Sequence, residues 1–93
     1  MKFELMHPRD QLVVLIKRLY ENKLTNLSGG NLSILDENGD IWITPTGIDK
    51  GNLRPEDILH VRPDGTIEGL HRVTTELPFH VAILKRRSDI NAV

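Results

Sequence analysis

Apolar side chains recur at three- and four-residue spacing along the first part of the chain. Leu12, Leu15, Ile16, Leu19 and Tyr20 share one face, and Arg9, Lys17, Arg18 and Glu21 fall largely on the other. That period predicts an amphipathic helix through "HPRDQLVVLIKRLYENKL", with Pro8 tolerated in its first turn and core packing as its purpose. The pattern breaks at "TNLSGG", where Ser28, Gly29 and Gly30 are loop formers. In "NLSILDENGDIWIT" the period changes to two. Leu32, Ile34, Ile41 and Ile43 alternate with polar residues, and Asn38-Gly39 favours a tight turn with positive φ, so a hairpin is expected. Trp42 lies in its second strand, and packing is the expected role of the indole. A second hairpin follows in "ILHVRPDGTIEGL", turning at Asp64-Gly65. Between the hairpins, "PTGIDKGNLRPEDI" reads mostly as loop, with one short helical turn at Arg54-Pro55-Glu56-Asp57.

The last third returns to a helical period. Leu77, Val81 and Leu84 make one stripe, which Phe79 and Ile83 would widen. Thr75 is the expected N-cap, Pro78 suits the first turn, and Lys85, Arg86 and Arg87 suit the last. The helix should run from about Glu76 to Arg87. Ala92-Val93 then reads as the first residues of a buried strand. The order helix, antiparallel strands, helix, strand defines a mixed α/β fold of α+β character.

Composition narrows the picture. Ninety-three residues make one domain at most, and a chain this short buries roughly two-thirds or less of its unfolded surface, so its stability should be marginal. Twelve Lys and Arg against thirteen Asp and Glu give a formal charge of -1, without the basic excess of a general nucleic-acid binder. The absence of cysteine removes disulfides and thiolate metal sites and is compatible with a cytoplasmic setting. No stretch approaches the roughly 20 apolar residues of a membrane span, and "MKFELMHPRDQ" lacks the apolar core of a signal peptide.

Three loops carry candidate chemistry: Ser28-Gly29-Gly30-Asn31, Thr44-Pro45-Thr46-Gly47 and Thr74-Thr75-Glu76. Each precedes a regular element and combines neutral donors or glycine in a way that suits an anion, although turn-making and capping alone would also explain them. The third aims a helix N-terminus at whatever lies before it. None has a P-loop or G-x-G-x-x-G signature. Glu76 is explained by the helix dipole alone, and equally by service as a base facing a phosphate site. His7, His60, His71 and His80 form no metal-binding pair among themselves. His80 shares a helical face with Glu76, but three protein ligands are usual for catalytic zinc and no third is evident.

Taken in order, these motifs resemble the class II aldolase and adducin family over nearly the whole chain. "SGGNLSIL" is similar to that family's small-Gly-Asn-hydrophobic-Ser segment, "ITPTGIDKGNLRPEDIL" to its I-T-P-T-G loop, and "TTELPFHVAILKRRSDINAV" to its Ser-Ser-Glu helix and the following Arg-x-Asp-x-x-Ala-Val. The resemblance implies a central, mainly antiparallel sheet flanked by helices, a homotetramer, and a zinc-dependent ketose-phosphate aldolase acting on a phosphorylated sugar. It implies Glu76 as the general acid/base that forms a dihydroxyacetone-phosphate enediolate. It also implies Gly30, Asn31, Thr46, Gly47, Thr74 and Thr75 as the residues around the phosphate. Thr74-Thr75 stands where Ser-Ser is commoner, which keeps the hydroxyls. In the family Ala-Val runs on into His-x-His, two of the zinc ligands. Residues 1–93 are therefore expected to be the N-terminal portion of one such domain, with the main metal ligands beyond Val93, and to be inactive alone.

The family also contains sugar-phosphate 4-epimerases, dehydratases and decarboxylases, as well as adducin head domains that serve as interaction modules without a working metal site. The epimerases usually carry Lys in the second loop and Asp in place of the glutamate, so Thr44 and Glu76 favour an aldolase. The dehydratases and decarboxylases are not separated by these motifs.

Overall fold

Period-3.6 and period-2 segments become helices and strands close to where the hydrophobic pattern places them. The computed structural model describes residues 5–21, 31–47, 53–87, 89 and 91–93. Among these, helix α1 spans Pro8–Glu21 and helix α2 spans Leu77–Arg86. The strands are β1 (Ser33–Leu35), β2 (Ile41–Ile43), β3 (Leu59–Val61) and β4 (Ile67–Glu68). They form one antiparallel sheet in the order β1-β2-β3-β4, with Ile34 opposite Trp42, Trp42 opposite His60, and His60 opposite Glu68. Both expected turns form, with Gly39 at φ 86° and Gly65 at φ 92°, a region open to glycine.

The free edge of β1 is occupied. Ser33 N–H donates to Val93 O at 2.7 Å, Val93 N–H donates back to Ser33 O at 2.8 Å, and Leu35 N–H donates to Asn91 O at 2.8 Å. Asn91–Val93 thus lies antiparallel to β1, as the apolar Ala92-Val93 pair suggests.

Alternation along the strands sends side chains to two faces, and each face is covered by a helix. On one, Leu12 and Ile16 of α1 pack with Ile34, Trp42, Leu53 and Ile58. On the other, Leu84 of α2 packs with Ile41, Ile43, Leu59 and Val61, and Leu77 and Val81 close over them. Burial on both faces explains why Trp42 sits between two isoleucines instead of alternating with polar residues. Its indole is packed, stacked on His60 with centroids 4.1 Å apart and met edge-on by His7 at 4.6 Å.

Three expectations need correction. Arg9 does not turn away from the core: its guanidinium lies 5.1 Å over the Trp42 ring, because the Trp42 face extends under the first turn of α1. Phe79 and Ile83 do not widen the buried stripe of α2; they are 71% and 41% exposed, on the side turned from the sheet. The N-cap of α2 is Glu76 and not Thr75, and its side chain makes no capping bond. Thr74 Oγ1 accepts from Glu76 N–H at 3.1 Å, and its carbonyl accepts from Leu77 N–H at 3.2 Å, so the helix proper begins at Leu77.

The expected turn at Pro55 is a 3-10 turn, Pro55–Asp57. Asp57 is buried at its end, accepting from Arg54 N–H at 2.9 Å and pairing with His71 Nε2 at 2.8 Å. Burial alone would raise its carboxyl; these partners outweigh burial and hold it below the usual range.

Two apolar layers on opposite faces of one sheet should lose stability independently. Leu12→Ala and Leu84→Ala are each expected to cost about 2–5 kcal/mol. The double variant should match their sum within about 0.5 kcal/mol in urea unfolding of the full-length protein. A marked departure from additivity would contradict the two-layer arrangement.

Candidate active site

The end of the sheet where β1 begins and β2 finishes gathers Asn31, the loop of residues 44–47 and Thr74-Thr75-Glu76. Leu32 N–H donates to Thr44 Oγ1 and Thr44 N–H donates to Leu32 O, both at 3.0 Å, so the first loop is tied to the second. Thr46 N–H donates to Arg72 O at 3.3 Å, which ties the second to the segment leading into α2. Thr74, buried, accepts from Glu76 N–H and so sets Glu76 at the mouth of the helix.

The Glu76 side chain is 60% exposed. Its backbone carbonyl accepts from Phe79 and His80 N–H, which fixes the backbone, while the carboxylate stays outside the helix. Asn31 Nδ2 donates to Glu76 Oε1 at 3.3 Å. The side-chain oxygen of Asn31, Oδ1, is buried and has no hydrogen-bond partner among the described residues. From the protein side, His80 Nε2 lies 3.9 Å from the same Oε1. The other ring nitrogen, Nδ1, is 2.6 Å from Ser33 Oγ. A polar chain therefore runs from β1 through α2 to the carboxylate. Burial pushes the His80 imidazole below its ordinary pKa, and the Glu76 charge only partly offsets this. The ring is neutral near pH 7.

Of the residues singled out in the sequence, Asn31, Thr74 and Glu76 meet directly. Thr46 joins through its backbone N–H, and Gly47 follows it, exposed at φ 69°. Thr75 is exposed beside Glu76. Gly30, with Ser28 and Gly29, lies outside the described residues. Among the described residues no three His, Cys, Asp or Glu side chains gather where they could hold a metal ion, so the residues present do not by themselves form a metal centre. His60 and His71 are each occupied by a carboxylate elsewhere, Asp40 and Asp57. Sequence reasoning missed Ser33. The available signal was a serine at an inward position of a strand whose other inward residues are apolar.

Comparison with known proteins gives the chain its family. Residues 10–93 match the family model for the Class II Aldolase and Adducin N-terminal domain. The chain is 35% identical over 91 residues to 5-deoxy-D-ribulose 1-phosphate aldolase of Bacillus thuringiensis serovar kurstaki, covering 96% of this chain and 43% of that protein. It is 37% identical over 86 residues to L-fuculose phosphate aldolase of Methanocaldococcus jannaschii, covering 91% and 46%. A solved L-fuculose 1-phosphate aldolase superposes with a TM-score of 0.82 at 33% identity, over 91% of this chain and 41% of that one. The chain belongs to the class II aldolase and adducin family. It spans less than half the length of the curated relatives it matches.

The buried neutral imidazole has a consequence for stability. Its folded pKa lies below the unfolded value near 6.5. Between the two values the unfolded chain binds more protons, so this contribution is complete above pH ~6.5 and is lost as pH falls toward the folded pKa. Urea midpoints between pH ~7.5 and ~5.5 should fall more steeply for the wild type than for His80→Gln, which has no proton to gain. Equal slopes would show that His80 is not held neutral.

Proposed function

We propose that the protein carrying this chain is an aldolase that cleaves or forms a phosphorylated sugar, with Glu76 as its general acid/base. The observation that carries this reading is an exposed carboxylate at a helix mouth, hydrogen-bonded by Asn31. Residues 1–93 are then the N-terminal portion of a single catalytic domain, and the activity belongs to the whole protein. The aldolase relatives support an enzyme over an adducin-like interaction module.

In this reading Gly30, Asn31, Thr46, Gly47, Thr74 and Thr75 surround the phosphate of dihydroxyacetone phosphate with backbone and side-chain donors. The N-terminus of α2 adds its partial positive charge to the same region. Glu76 takes a proton from the hydroxyl-bearing carbon, and the C–H electron pair becomes the enediolate π bond. The enediolate electron pair then forms the new C–C bond to an aldehyde carbon, whose C=O π pair moves to oxygen, and that oxygen takes up a proton from solvent. In cleavage the hydroxyl gives up its proton, the C–C bond pair goes to the enediolate, and the carboxylic acid of Glu76 returns the proton to carbon. A zinc ion, with ligands expected beyond Val93, supplies stabilisation of negative charge on the substrate oxygens. The family's tetramer and a cytoplasmic location complete the proposal.

Enediolate formation is measurable without knowing the aldehyde. The protein, expressed at the full length of its reading frame with zinc, should exchange one carbinol hydrogen of dihydroxyacetone phosphate for deuterium in D2O, followed by proton NMR. Glu76→Gln should slow that exchange by about 10²–10⁴-fold. A Gln variant as fast as wild type would remove Glu76 from the mechanism, and no exchange by the wild type would favour the interaction module.

A further inference from the structure

The proton transfer just described uses Glu76 but not the buried groups behind it. The layer between α2 and the sheet is otherwise built from Ile41, Ile43, Leu59, Val61 and Leu84. An imidazole there loses its water and needs internal partners. It has one on each side: Ser33 Oγ at 2.6 Å from Nδ1, and Glu76 Oε1 at 3.9 Å from Nε2. Ser33 is itself immobilised, because its backbone N–H and C=O both bond Val93.

A neutral imidazole has one N–H, and the partner of one nitrogen decides which it is. Only a hydroxyl can serve Nδ1 either way, as donor or acceptor. A carboxylate in front of Nε2 settles the matter, since a bare nitrogen lone pair would repel it. Ser33 O–H therefore donates to Nδ1, and the ring hydrogen sits on Nε2, facing Oε1. At 3.9 Å this is an electrostatic contact, too long for a hydrogen bond. The exposed Glu76 side chain has room to shorten it. Asn31 Nδ2 approaches the same Oε1, so both protein donors converge on one oxygen.

We infer that Ser33 and His80 are a positioning pair for Glu76: the hydroxyl fixes the imidazole with its Nε2 hydrogen toward Oε1, and this contact together with Asn31 holds that oxygen, leaving Oε2 to take and return the substrate proton. The inference rests on the reading of Glu76 as the acid/base. It places two residues of the core, neither touching substrate, in the service of the proton transfer.

The test uses the zinc-loaded, full-length protein and dihydroxyacetone phosphate exchange. His80→Leu should lower kcat about 10- to 100-fold by letting the carboxylate wander. KM should stay within about twofold, because no phosphate contact is lost. His80→Gln, whose amide N–H extends toward the Nε2 position, should recover most of the rate, and Ser33→Ala should fall between. In a Glu76→Gln background His80→Leu should cost nothing further, since it acts only through that side chain. Wild-type kcat in a folded His80→Leu protein would overturn the pair, as would an equal loss in both backgrounds. Should His80→Leu fail to fold, the imidazole nitrogen shifts of the wild type decide: an Nε2–H tautomer is expected, and an Nδ1–H tautomer overturns the inference. A fully active Glu76→Gln protein would instead strike the acid/base reading itself.

Discussion

The candidate site depends on β1, a three-residue strand hydrogen-bonded along both edges. β2 holds one side and Asn91–Val93 the other. That double pairing fixes which residues face which helix. Ile34 goes to α1, and Ser33 goes to α2, where it meets His80. A slip of one residue would exchange them, placing a hydroxyl against Leu12 and Ile16 and an isoleucine against the imidazole. Asn31, two residues upstream of Ser33, would lose its approach to Glu76 by the same slip.

The two faces of the sheet use polar groups differently. Around Trp42 they pair with one another. The indole N–H donates to Asp36 Oδ2 at 3.0 Å, and His60 pairs with Asp40 at 2.9 Å. Burial would raise the Asp36 carboxyl, but the indole and the amides of Asp40 and Asn38 outweigh it and hold it below its ordinary range. This cluster closes the first hairpin. At the mouth of α2 the carboxylate is turned outward: Glu76 is exposed, with Asn31 Nδ2 donating to its Oε1.

Much of this was legible from spacing alone. Hydrophobic period separated the helices from the hairpins, and Asn38-Gly39 and Asp64-Gly65 located the turns. The small polar loops drew attention to Asn31, Thr46, Thr74 and Glu76 before any of them was placed in space. What spacing did not carry was rotation. The period sets Arg9 largely on the face opposite the apolar one, yet the Trp42 face reaches beneath it. Two adjacent threonines are equivalent as partners of the helix start until the backbone direction before it is known; Thr74 receives the Glu76 N–H, and the N-cap position itself falls on Glu76. Ser33 carries only a weak signal, a serine among apolar inward positions, and its partner lies 47 residues away.

The rotation of α2 ties these observations together. At about 100° per residue, Leu77, His80, Val81 and Leu84 fall within one stripe, with His80 at its edge. Glu76, four residues before His80, lies about 40° further round, at the rim where the stripe meets solvent. One member of the pair is therefore buried and the other exposed, although they are neighbours on the helix surface. The same rotation carries Phe79 and Ile83 to the far side, away from the sheet. Turning the helix to bury them would bring Glu76 inward without a cationic partner and swing His80 away from Ser33. The exposed apolar pair on α2 is thus the geometric counterpart of the polar chain beneath it.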